Sequence, residues 1–372
     1  MQVGLLSDLL YYRLAAGSTR YATQLAHHLA RSESVDLRLF SLCSREDIQH
    51  AAREKGVPIA ESVRDIAPRQ LRYVLWHAVG MAGGARRILD TVDVVHTPTF
   101  LVPPRRKTPL VVTVLDLSVV LFPNHHGRWW RTLAAAGLRR AVREADALIA
   151  ISKHTADDLV RVTGVDARRI HVIPLAADSR FAPVVDSSVP PRYGIEYPYL
   201  LYVGTLEPRK NLDVLLHAFA RLDHPDLQLV LAGPKGWMFE EIFALVDRLG
   251  LSSRVVFPGF VADADLPALM NSAAAFVYPS EYEGFGLPVL EAMSCGVPVV
   301  TTNVSSLPEV TGNAALLVPP RDVDALCRAL RCLLTEQHLR DEMREKGLER
   351  ASAFSWVRTA QATAEVYENV VS

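Results

Sequence analysis

The 372-residue sequence is poor in cysteine and has no long apolar run. Its four cysteines form no CxxC pair and no Cys/His pattern with zinc-ligand spacing, so we expect reduced thiols and neither a zinc site nor a disulfide framework. A membrane-spanning helix needs roughly 18 consecutive apolar residues, and no stretch reaches that length. The first residues lack the basic segment, apolar run and cleavage site of a signal peptide. These absences predict a cytoplasmic protein and leave peripheral contact with the inner face of a membrane open.

A GxGxxG fingerprint and recognisable nucleic-acid-binding motifs are also absent. The net charge is only −1, but residues 1–188 carry 25 basic and 18 acidic side chains, whereas residues 189–372 carry 15 and 23. The basic excess of the first half predicts an anionic partner. Because the basic residues are not tightly clustered, we exclude nucleic acid and favour a phosphate-bearing acceptor or an anionic membrane surface.

The composition and the hydrophobic pattern indicate a globular α/β protein. The hydrophobic fraction of 49% and the charged fraction of 22% are enough for a large core, which excludes disordered, collagen-like and coiled-coil chains. Short β-rich runs alternate with helical patterns, as in parallel sheets. The strand candidates are 3–7, 35–41, 92–96, 110–115, 147–152 and 171–174 in the first half, and 199–204, 228–232, 255–258, 274–278, 298–301 and 315–318 in the second.

A proline-rich stretch separates the two series of strands. Residues 177–198 contain four prolines and no helical periodicity, so we expect a linker with a domain boundary near residue 188. The predicted domains are 1–188 and 189–352, and the final segment, 353–372, is predicted to be helical. We expect two Rossmann-like doubly wound domains that face each other across a cleft, with the ligand at the carboxyl ends of both sheets.

The most informative segment runs from residue 279 to residue 293, after a predicted strand. Gly284 and Gly286 permit a close backbone approach, and Pro288 suits the first turn of a helix. The backbone amides of Phe285, Gly286 and Leu287 can then point at an anion. Glu283 and Glu291 can hold hydroxyls at two points of a polyhydroxylated ligand. Taken alone, the segment is also typical of a strand-to-helix turn with solvated glutamates.

A second strand, glycine turn and helix start occupy residues 201–211. Arg209 and Lys210 follow Gly204 and Thr205 at the predicted helix start, where a guanidinium beside an ammonium suits a diphosphate and could replace a divalent metal. Two adjacent basic residues are also typical of a solvated helix face. Near the start of the chain, Gly17 lies in a strand-to-helix turn and could let the backbone approach a phosphate.

Two DxD pairs and an arginine-rich helix could each have either a functional or a purely structural role. Asp263 with Asp265, and Asp322 with Asp324, have the spacing of some cation sites, but each pair precedes a helical stretch and suits helix capping. The histidines lack metal-ligand spacing, so no metal site is predicted. Residues 124–145 combine tryptophan and arginine, which is typical of an interfacial helix on an anionic membrane or of an amphipathic helix with a tryptophan core.

Taken together, these segments resemble the family 4 retaining nucleotide-sugar glycosyltransferases of GT-B architecture, over most of the chain. In the first half the resemblance is carried by Val-Val-His-Thr-Pro at 94–98, Val-Val-Thr-Val-Leu-Asp-Leu at 111–117 followed by Pro123, and Ala-Ile-Ser-Lys-His-Thr at 150–155. In the second half it is carried by Val-Gly-Thr-Leu-Glu-Pro-Arg-Lys-Asn at 203–211, Gly-Phe-Val at 259–261, the segment from Glu283 to Glu291, and Ser-Leu-Pro-Glu at 306–309. The second set is the more specific.

The resemblance implies an enzyme that moves a hexose from a nucleoside-diphosphate sugar to an acceptor hydroxyl with retention. It implies no metal and no cofactor, and front-face attack in which the departing diphosphate helps to deprotonate the acceptor. Mannosyl transfer from GDP-mannose is a common role among similar sequences. The implied acceptor is a glycan, a lipid-linked glycan or a small molecule, and the helix at 356–370 would return to the N-terminal domain.

The same resemblance implies a role for each site residue. Arg209 and Lys210 would bind the diphosphate, Glu283 the donor sugar and Glu291 the ribose, while Gly17 would approach the phosphates from the opposite domain. The other donor-contact residues are Gly204, Thr205, Val261 at the nucleobase, Gly284, Phe285, Gly286 and Leu287. The implied catalytic set is Glu283, Asp116, Arg209 and Lys210.

The chain departs from the family pattern in two places. In the first turn it has Ala16, Ser18 and Thr19 where glycine-rich sequences are usual, and it also departs at residue 115. Similar sequences commonly have His-Asp where this chain has Leu115-Asp116, and that histidine is taken to contact the donor sugar. Leucine can neither donate a hydrogen bond nor carry charge. Either an unusual donor or acceptor relieves this requirement, or the activity is reduced. Leu115 also favours a second hypothesis, a sugar-nucleotide-binding subunit without transfer activity, and a third keeps the fold but makes the protein an epimerase or phosphorylase.

Overall fold

The computed structural model describes residues 1–11, 17–55, 57–62, 86–100, 102–103, 107–123, 128–184, 186–196 and 198–372. The chain divides into two compact units, Met1–Leu175 together with Ser355–Ser372, and Ala176–Phe354. Each unit contains one parallel sheet whose strands are joined through helices. The predicted α/β class with two Rossmann-like domains is confirmed.

The first unit contains a sheet of seven described strands in the order β3-β2-β1-β4-β5-β6-β7. These strands are β1 (Gln2–Leu6), β2 (Asp36–Ser41), β3 (Glu61–Ser62), β4 (Val94–Thr97), β5 (Leu110–Val114), β6 (Ala147–Ala150) and β7 (Ile170–Val172). Its helices include α1 (Gly17–Leu29), α2 (Arg45–Lys55), α3 (Arg86–Leu89), α4 (Ser118–Leu121), α5 (Arg128–Glu144) and α6 (Lys153–Thr163), with 3-10 turns at Asp8–Tyr11 and Ala167–Arg169. The central strands β4, β5 and β6 are fully buried, as expected for a parallel sheet covered on both faces.

The second unit contains a six-stranded sheet in the order β10-β9-β8-β11-β12-β13. Its strands are β8 (Tyr199–Val203), β9 (Gln228–Ala232), β10 (Val255–Gly259), β11 (Ala275–Tyr278), β12 (Val299–Thr302) and β13 (Leu316–Val318). Its helices are α7 (Val189–Arg192), α8 (Leu212–Ala220), α9 (Glu240–Arg248), α10 (Leu266–Asn271), α11 (Leu287–Ser294), α12 (Leu307–Thr311), α13 (Val323–Thr335) and α14 (Gln337–Ser352), with a 3-10 turn at Pro208–Lys210. This is the strand order of a Rossmann fold. All the strands are parallel, but the order in which the chain adds them to the sheet changes side between β8 and β11.

The structure places the division between the units after Leu175, not near residue 188. The expected linker makes specific contacts with the second unit. Val184 donates its backbone N–H to Asn271 Oδ1 at 3.1 Å, and Asn271 Nδ2 donates to the Ala182 carbonyl at 3.0 Å. Arg180 also forms an ion pair with Asp263 at 3.8 Å. These contacts join the stretch to the second unit, and it continues into the short helix α7, which the prolines did not predict.

The last helix, α15 (Trp356–Val371), belongs to the first unit. Thr359 Oγ1 donates to the Pro174 carbonyl at 2.7 Å, and the Trp356 and Tyr21 rings lie 6.3 Å apart. In the second unit, α14 ends at Ser352, so the chain returns to the first unit within a few residues. Of the helices in the described ranges, none is both long and apolar enough to cross a bilayer.

Candidate functional site

A cluster of charged side chains in the second unit lies at the carboxyl ends of β8 and β11. These two strands are neighbours in the sheet although other elements separate them in sequence, which makes this edge the topological switch point where open α/β sheets bind ligands. The loop after β8 carries Arg209 and Lys210, and the loop after β11 carries Glu283. The loops are joined directly, because the Glu281 N–H donates to the Arg209 carbonyl at 3.0 Å.

Glycines allow the loops at this edge to approach closely. Gly204 follows β8, and Tyr202 Oη donates to the Thr205 carbonyl at 3.0 Å, which fixes the turn. Gly233, at the end of β9, has φ +145°, and a Cβ there would lie 2.0 Å from the Gly204 oxygen. Any side chain at residue 233 would therefore force the two loops apart.

Lys210 and Glu283 form a buried ion pair. Lys210 Nζ donates to Glu283 Oε1 at 2.5 Å and to Tyr278 Oη at 2.9 Å. Ser280 Oγ donates to the same Glu283 oxygen at 2.6 Å. Lys210 is 6% exposed and Glu283 is 9% exposed, so little water screens the attraction between them.

Arg209 extends the charged cluster toward a second carboxylate. Its guanidinium donates to Glu207 Oε1 at 2.7 Å and to the Tyr282 carbonyl, and its Nη1 lies 3.5 Å from Glu283 Oε1. The planar fork of arginine can satisfy several acceptors at fixed angles. The guanidinium is therefore held in one orientation beside the Lys210 ammonium.

The cluster fixes the ionisation of its members. Burial alone would raise the pKa of Glu283, but the positive charges of Lys210 and Arg209 outweigh burial and lower that pKa to about 2. Burial and the Arg209 charge lower the pKa of Lys210, and Glu283 partly opposes them. Glu283 is thus an ionised carboxylate across the physiological pH range, and a weak base.

Helix α11 begins immediately after this loop. Gly286, its N-cap, has φ +101°, and a Cβ there would lie 2.8 Å from Leu307 Cδ2, so the turn requires glycine. Phe285 is buried and contacts the Phe354 ring edge to face at 5.8 Å. The first amides of a helix have no partner within the helix, which suits them to an anion. Glu291, in α11, is 1% exposed.

The structure brings most of the predicted site residues together on one unit. The residues placed on the loops that follow the strands of the second sheet, or on α11, are Gly204, Thr205, Arg209, Lys210, Val261, Glu283, Gly284, Phe285, Gly286, Leu287 and Glu291. Val261 follows β10 and is buried.

Two predicted residues belong to the first unit. Gly17 is the first residue of α1 and is exposed. Asp116 follows β5, where its Oδ1 accepts from Ser118 N at 2.9 Å and Ser118 Oγ at 2.7 Å and so satisfies the start of α4. Leu115 packs against the apolar cluster that contains Leu5 and Leu9.

Three contacts of the cluster were not predicted. Tyr278 and Ser280 bond Lys210 and Glu283, and Glu207 bonds Arg209. Glu207 lies in the segment 201–211 and Ser280 in the segment 279–293. Their closeness in sequence to Arg209 and Glu283 could have predicted these two contacts. Tyr278 ends a buried strand far from Lys210 in sequence, and no sequence pattern pairs them.

The DxD pairs have charged or backbone partners. Asp322 caps α13, accepting from Ala325 N at 2.8 Å as predicted, and Asp324 pairs with Arg221 at 2.5 Å. Asp265 stands at the N-cap of α10 but accepts from Tyr193 Oη at 2.7 Å instead of capping the helix. Within the described ranges, no group of three His, Cys, Asp or Glu side chains is arranged to hold a metal ion.

Comparison with known proteins identifies the family. The model of glycosyl transferases group 1 matches residues 191–350, and that of glycosyltransferase family 4 matches residues 15–181. The chain is 33% identical over 370 residues to O-antigen chain mannosyltransferase B of Escherichia coli, covering 95% of this chain and 96% of the relative.

Two solved structures share the fold over nearly the whole chain. Sucrose-phosphate synthase from Thermosynechococcus elongatus has a TM-score of 0.79 at 24% identity, covering 99% of this chain and 98% of the other. Anabaena HepE, crystallised with UDP and glucose, has a TM-score of 0.78 at 21% identity, covering 99% of this chain and 100% of the other. By sequence and by fold, the chain belongs to the family 4 glycosyltransferases of GT-B architecture.

Proposed function

We propose that this glycosyltransferase is a retaining mannosyltransferase that moves mannose from GDP-mannose to a hydroxyl of a glycan acceptor. The observation that carries the proposal is the buried cluster of Arg209, Lys210 and Glu283 at the switch point of the second sheet. The mannosyltransferase name of the Escherichia coli relative supports the choice of sugar. The UDP and glucose bound to Anabaena HepE support a nucleotide-sugar donor.

The charges of the cluster suit the departure of a diphosphate. Arg209 and Lys210 place two cations side by side in a poorly hydrated site, where they stabilise negative charge more strongly than in water. In this proposal they bind the donor diphosphate and stabilise it as the glycosidic bond breaks, without a metal ion. The amides of Phe285, Gly286 and Leu287 provide further donors at the start of α11.

Glu283 is proposed to hold the donor sugar by accepting hydrogen bonds from its hydroxyls. With its pKa lowered to about 2, its carboxylate is a poor proton acceptor, so it is suited to positioning the sugar and not to general base catalysis. Glu291 is proposed to accept from the ribose, and Val261 to contact the base through its backbone. Gly17 and Asp116 keep the roles that the family resemblance implies for them.

A direct assay tests the proposal. The purified protein is incubated with a mannan-type oligosaccharide and either GDP-mannose or UDP-glucose, and products are analysed by mass spectrometry and NMR. We expect mannosyl transfer from GDP-mannose with the α-configuration of the donor retained. Transfer from UDP-glucose alone, or a product of inverted configuration, would contradict the proposal.

Lys210→Met is the matched negative control for that assay. Methionine keeps much of the side-chain volume but removes the charge, and Glu283 keeps Ser280 and Arg209 as partners. Loss of a charge-assisted contact, worth about 1.5–3 kcal/mol, should lower kcat/KM by roughly 10- to 100-fold. Unchanged kinetics would remove Lys210 from the proposed site.

A second candidate is a donor-binding subunit without transfer activity. Leu115 favours it, because this side chain packs into the apolar cluster of the first unit and cannot replace the histidine of related sequences. Tight binding of GDP-mannose, with neither transfer nor hydrolysis, would support this candidate over the enzyme. A Leu115→His variant that gains transfer would show that this position limits the chemistry.

A further inference from the structure

The loops after β9 and β10 leave two aromatic side chains in solvent. Trp237 is 54% exposed and Phe260 is 57% exposed. The other Phe, Tyr and Trp side chains that the structure describes are buried or half-buried. An exposed aromatic side chain gains none of the stabilisation that burial would give, so two of them on loops beside the proposed diphosphate site point to a binding role.

Neighbouring aromatic residues are packed, unlike these two. Phe243 stacks on Phe257 with ring centroids 4.2 Å apart, and Lys235 Nζ lies 4.9 Å above the Phe239 ring. Met238 has φ +56°, a left-handed conformation that is costly for a side chain of this kind. The backbone thus takes a strained turn at the point where Trp237 is held outward.

The Trp237 loop is continuous with the proposed diphosphate site. Leu206 N donates to the Pro234 carbonyl at 3.0 Å, and Gly236 N donates to the Leu206 carbonyl at 3.1 Å, so the pairing of β8 and β9 continues past the strand ends. Gly233 N donates to the Gly259 carbonyl at 2.8 Å, which joins the next loop to this one. The loops that carry Arg209, Trp237 and Phe260 therefore lie side by side along one edge of the sheet.

The spacing of these loops matches the order of groups in a nucleotide. Neighbouring strands lie about 4.8 Å apart, so the loop after β10 is two strand spacings from the loop after β8. In a nucleoside diphosphate, one ribose separates the base from the phosphates. A diphosphate at Arg209 and Lys210 would place its base over the loops that hold Trp237 and Phe260.

We propose that Trp237 is the stacking surface for the nucleobase of the donor, a guanine, and that Phe260 closes the same subsite from the adjacent loop. This inference rests on the proposed function, since it takes the diphosphate to lie at Arg209 and Lys210. Aromatic stacking requires only a π-face and gives little discrimination among bases, but a large indole surface favours a purine. Trp237 would thus contribute affinity and a preference for GDP over UDP.

Binding measurements with fragments of the donor test the proposal. Isothermal titration of GDP, UDP and inorganic pyrophosphate is carried out on the wild type, Trp237→Ala and Trp237→Phe. Trp237→Ala should weaken GDP binding about tenfold or more, leave pyrophosphate binding unchanged, and reduce the preference for GDP over UDP. Trp237→Phe should retain much of the affinity because it keeps an aromatic ring.

Leu317→Ala is the matched control. Leu317 is an exposed apolar side chain on β13, which is the outermost strand on the side of the sheet away from β10. It should bind all three probes like the wild type. Wild-type affinity for GDP in Trp237→Ala, or an equal loss of GDP and pyrophosphate, would overturn the stacking role while leaving the proposed function intact. A folded wild type that binds neither GDP nor UDP would overturn the proposed function and the stacking role together.

Discussion

At the scale of single residues, Tyr278 is a direct partner of Lys210 in the proposed site. Its hydroxyl accepts from Lys210 Nζ at 2.9 Å, and the ammonium also lies 5.2 Å from the centre of the Tyr278 ring. Burial, and then the charge of Glu283, raise the pKa of Tyr278 well above its ordinary value, so the phenol stays neutral. Tyr278 thus positions Lys210 without adding charge to the cluster.

Tyr278→Phe should slow the reaction without unfolding the protein. The substitution removes one hydrogen bond to a charged group, worth about 1.5–3 kcal/mol, and keeps the ring and its stacking on Tyr202. Because Lys210 is proposed to act on charge that develops as the diphosphate leaves, the loss should appear mainly in kcat, by about tenfold or more. Steady-state kinetics and the melting temperature are measured together.

Tyr199→Phe, on the neighbouring strand β8, provides the control. Tyr199 is also fully buried, and its hydroxyl donates to the Leu269 carbonyl at 2.6 Å. It begins β8, away from the carboxyl end at which the loops of the site start. Both variants lose a buried hydroxyl bond, so equal effects on kcat would assign Tyr278 a general structural role instead of a positioning role.

At the scale of elements, a chain of hydrogen bonds joins four parts of the first unit. His96 on β4 contacts Tyr367 Oη on α15 through Nδ1 at 2.6 Å and Thr113 Oγ1 on β5 through Nε2 at 2.8 Å. Thr113 Oγ1 also lies 2.8 Å from Tyr21 Oη on α1. All four side chains are buried, so the chain fixes how α1 and α15 pack against the sheet.

This network makes the first unit sensitive to acid. Burial lowers the pKa of His96 to about 3, from an ordinary value of 6.5. Between these values the unfolded chain binds a proton that the folded chain does not, so the free energy of unfolding should fall by about 1.4 kcal/mol for each pH unit below about 6.5. Urea denaturation from about pH 7 to about pH 5 measures this slope.

His96→Gln removes the titrating group and should flatten the same slope. Glu283 does not obscure the measurement, because its folded pKa of about 2 lies below its ordinary value of 4.5. Its stabilising contribution is complete above pH 4.5 and is lost only as the pH falls from there toward 2. Equal slopes in the wild type and His96→Gln would contradict the assignment to His96.

The sequence predicts elements better than it predicts their partners. Buried strands such as β8 and β11 are continuous apolar runs followed by glycine-containing turns, so their positions and the loops of the site could be found. Strand β3 was missed because Glu61 and Ser62 are two polar residues that pair with the end of β2. The contact of Tyr278 with Lys210 depends on which strands are neighbours, and local patterns do not carry that information.

At the scale of the whole molecule, chain order and structural unit differ. Helix α15 follows the second unit in sequence but is part of the first. Its buried side chains are Trp356, Thr359, Ala360, Thr363, Ala364, Val366 and Tyr367. The domain boundary near residue 188 was predicted from prolines and from the absence of helical periodicity, and neither reports the hydrogen bonds of Val184 and Asn271 that join this stretch to the second unit.

Deleting Ser355–Ser372 should therefore destabilise the first unit selectively. Fully burying one large apolar side chain contributes about 1.5–3 kcal/mol, and α15 also carries the Tyr367 partner of His96. The combined loss is comparable with the 5–15 kcal/mol that typically stabilise a domain. Hydrogen exchange followed by mass spectrometry should show faster exchange in α1, β4 and β5, while β8 to β13 keep their protection.

A shorter deletion of the exposed Val371 and Ser372 should change neither unit. Because each unit has its own sheet and core, faster exchange spread evenly over both sheets would show that α15 stabilises the chain as a whole and not the first unit.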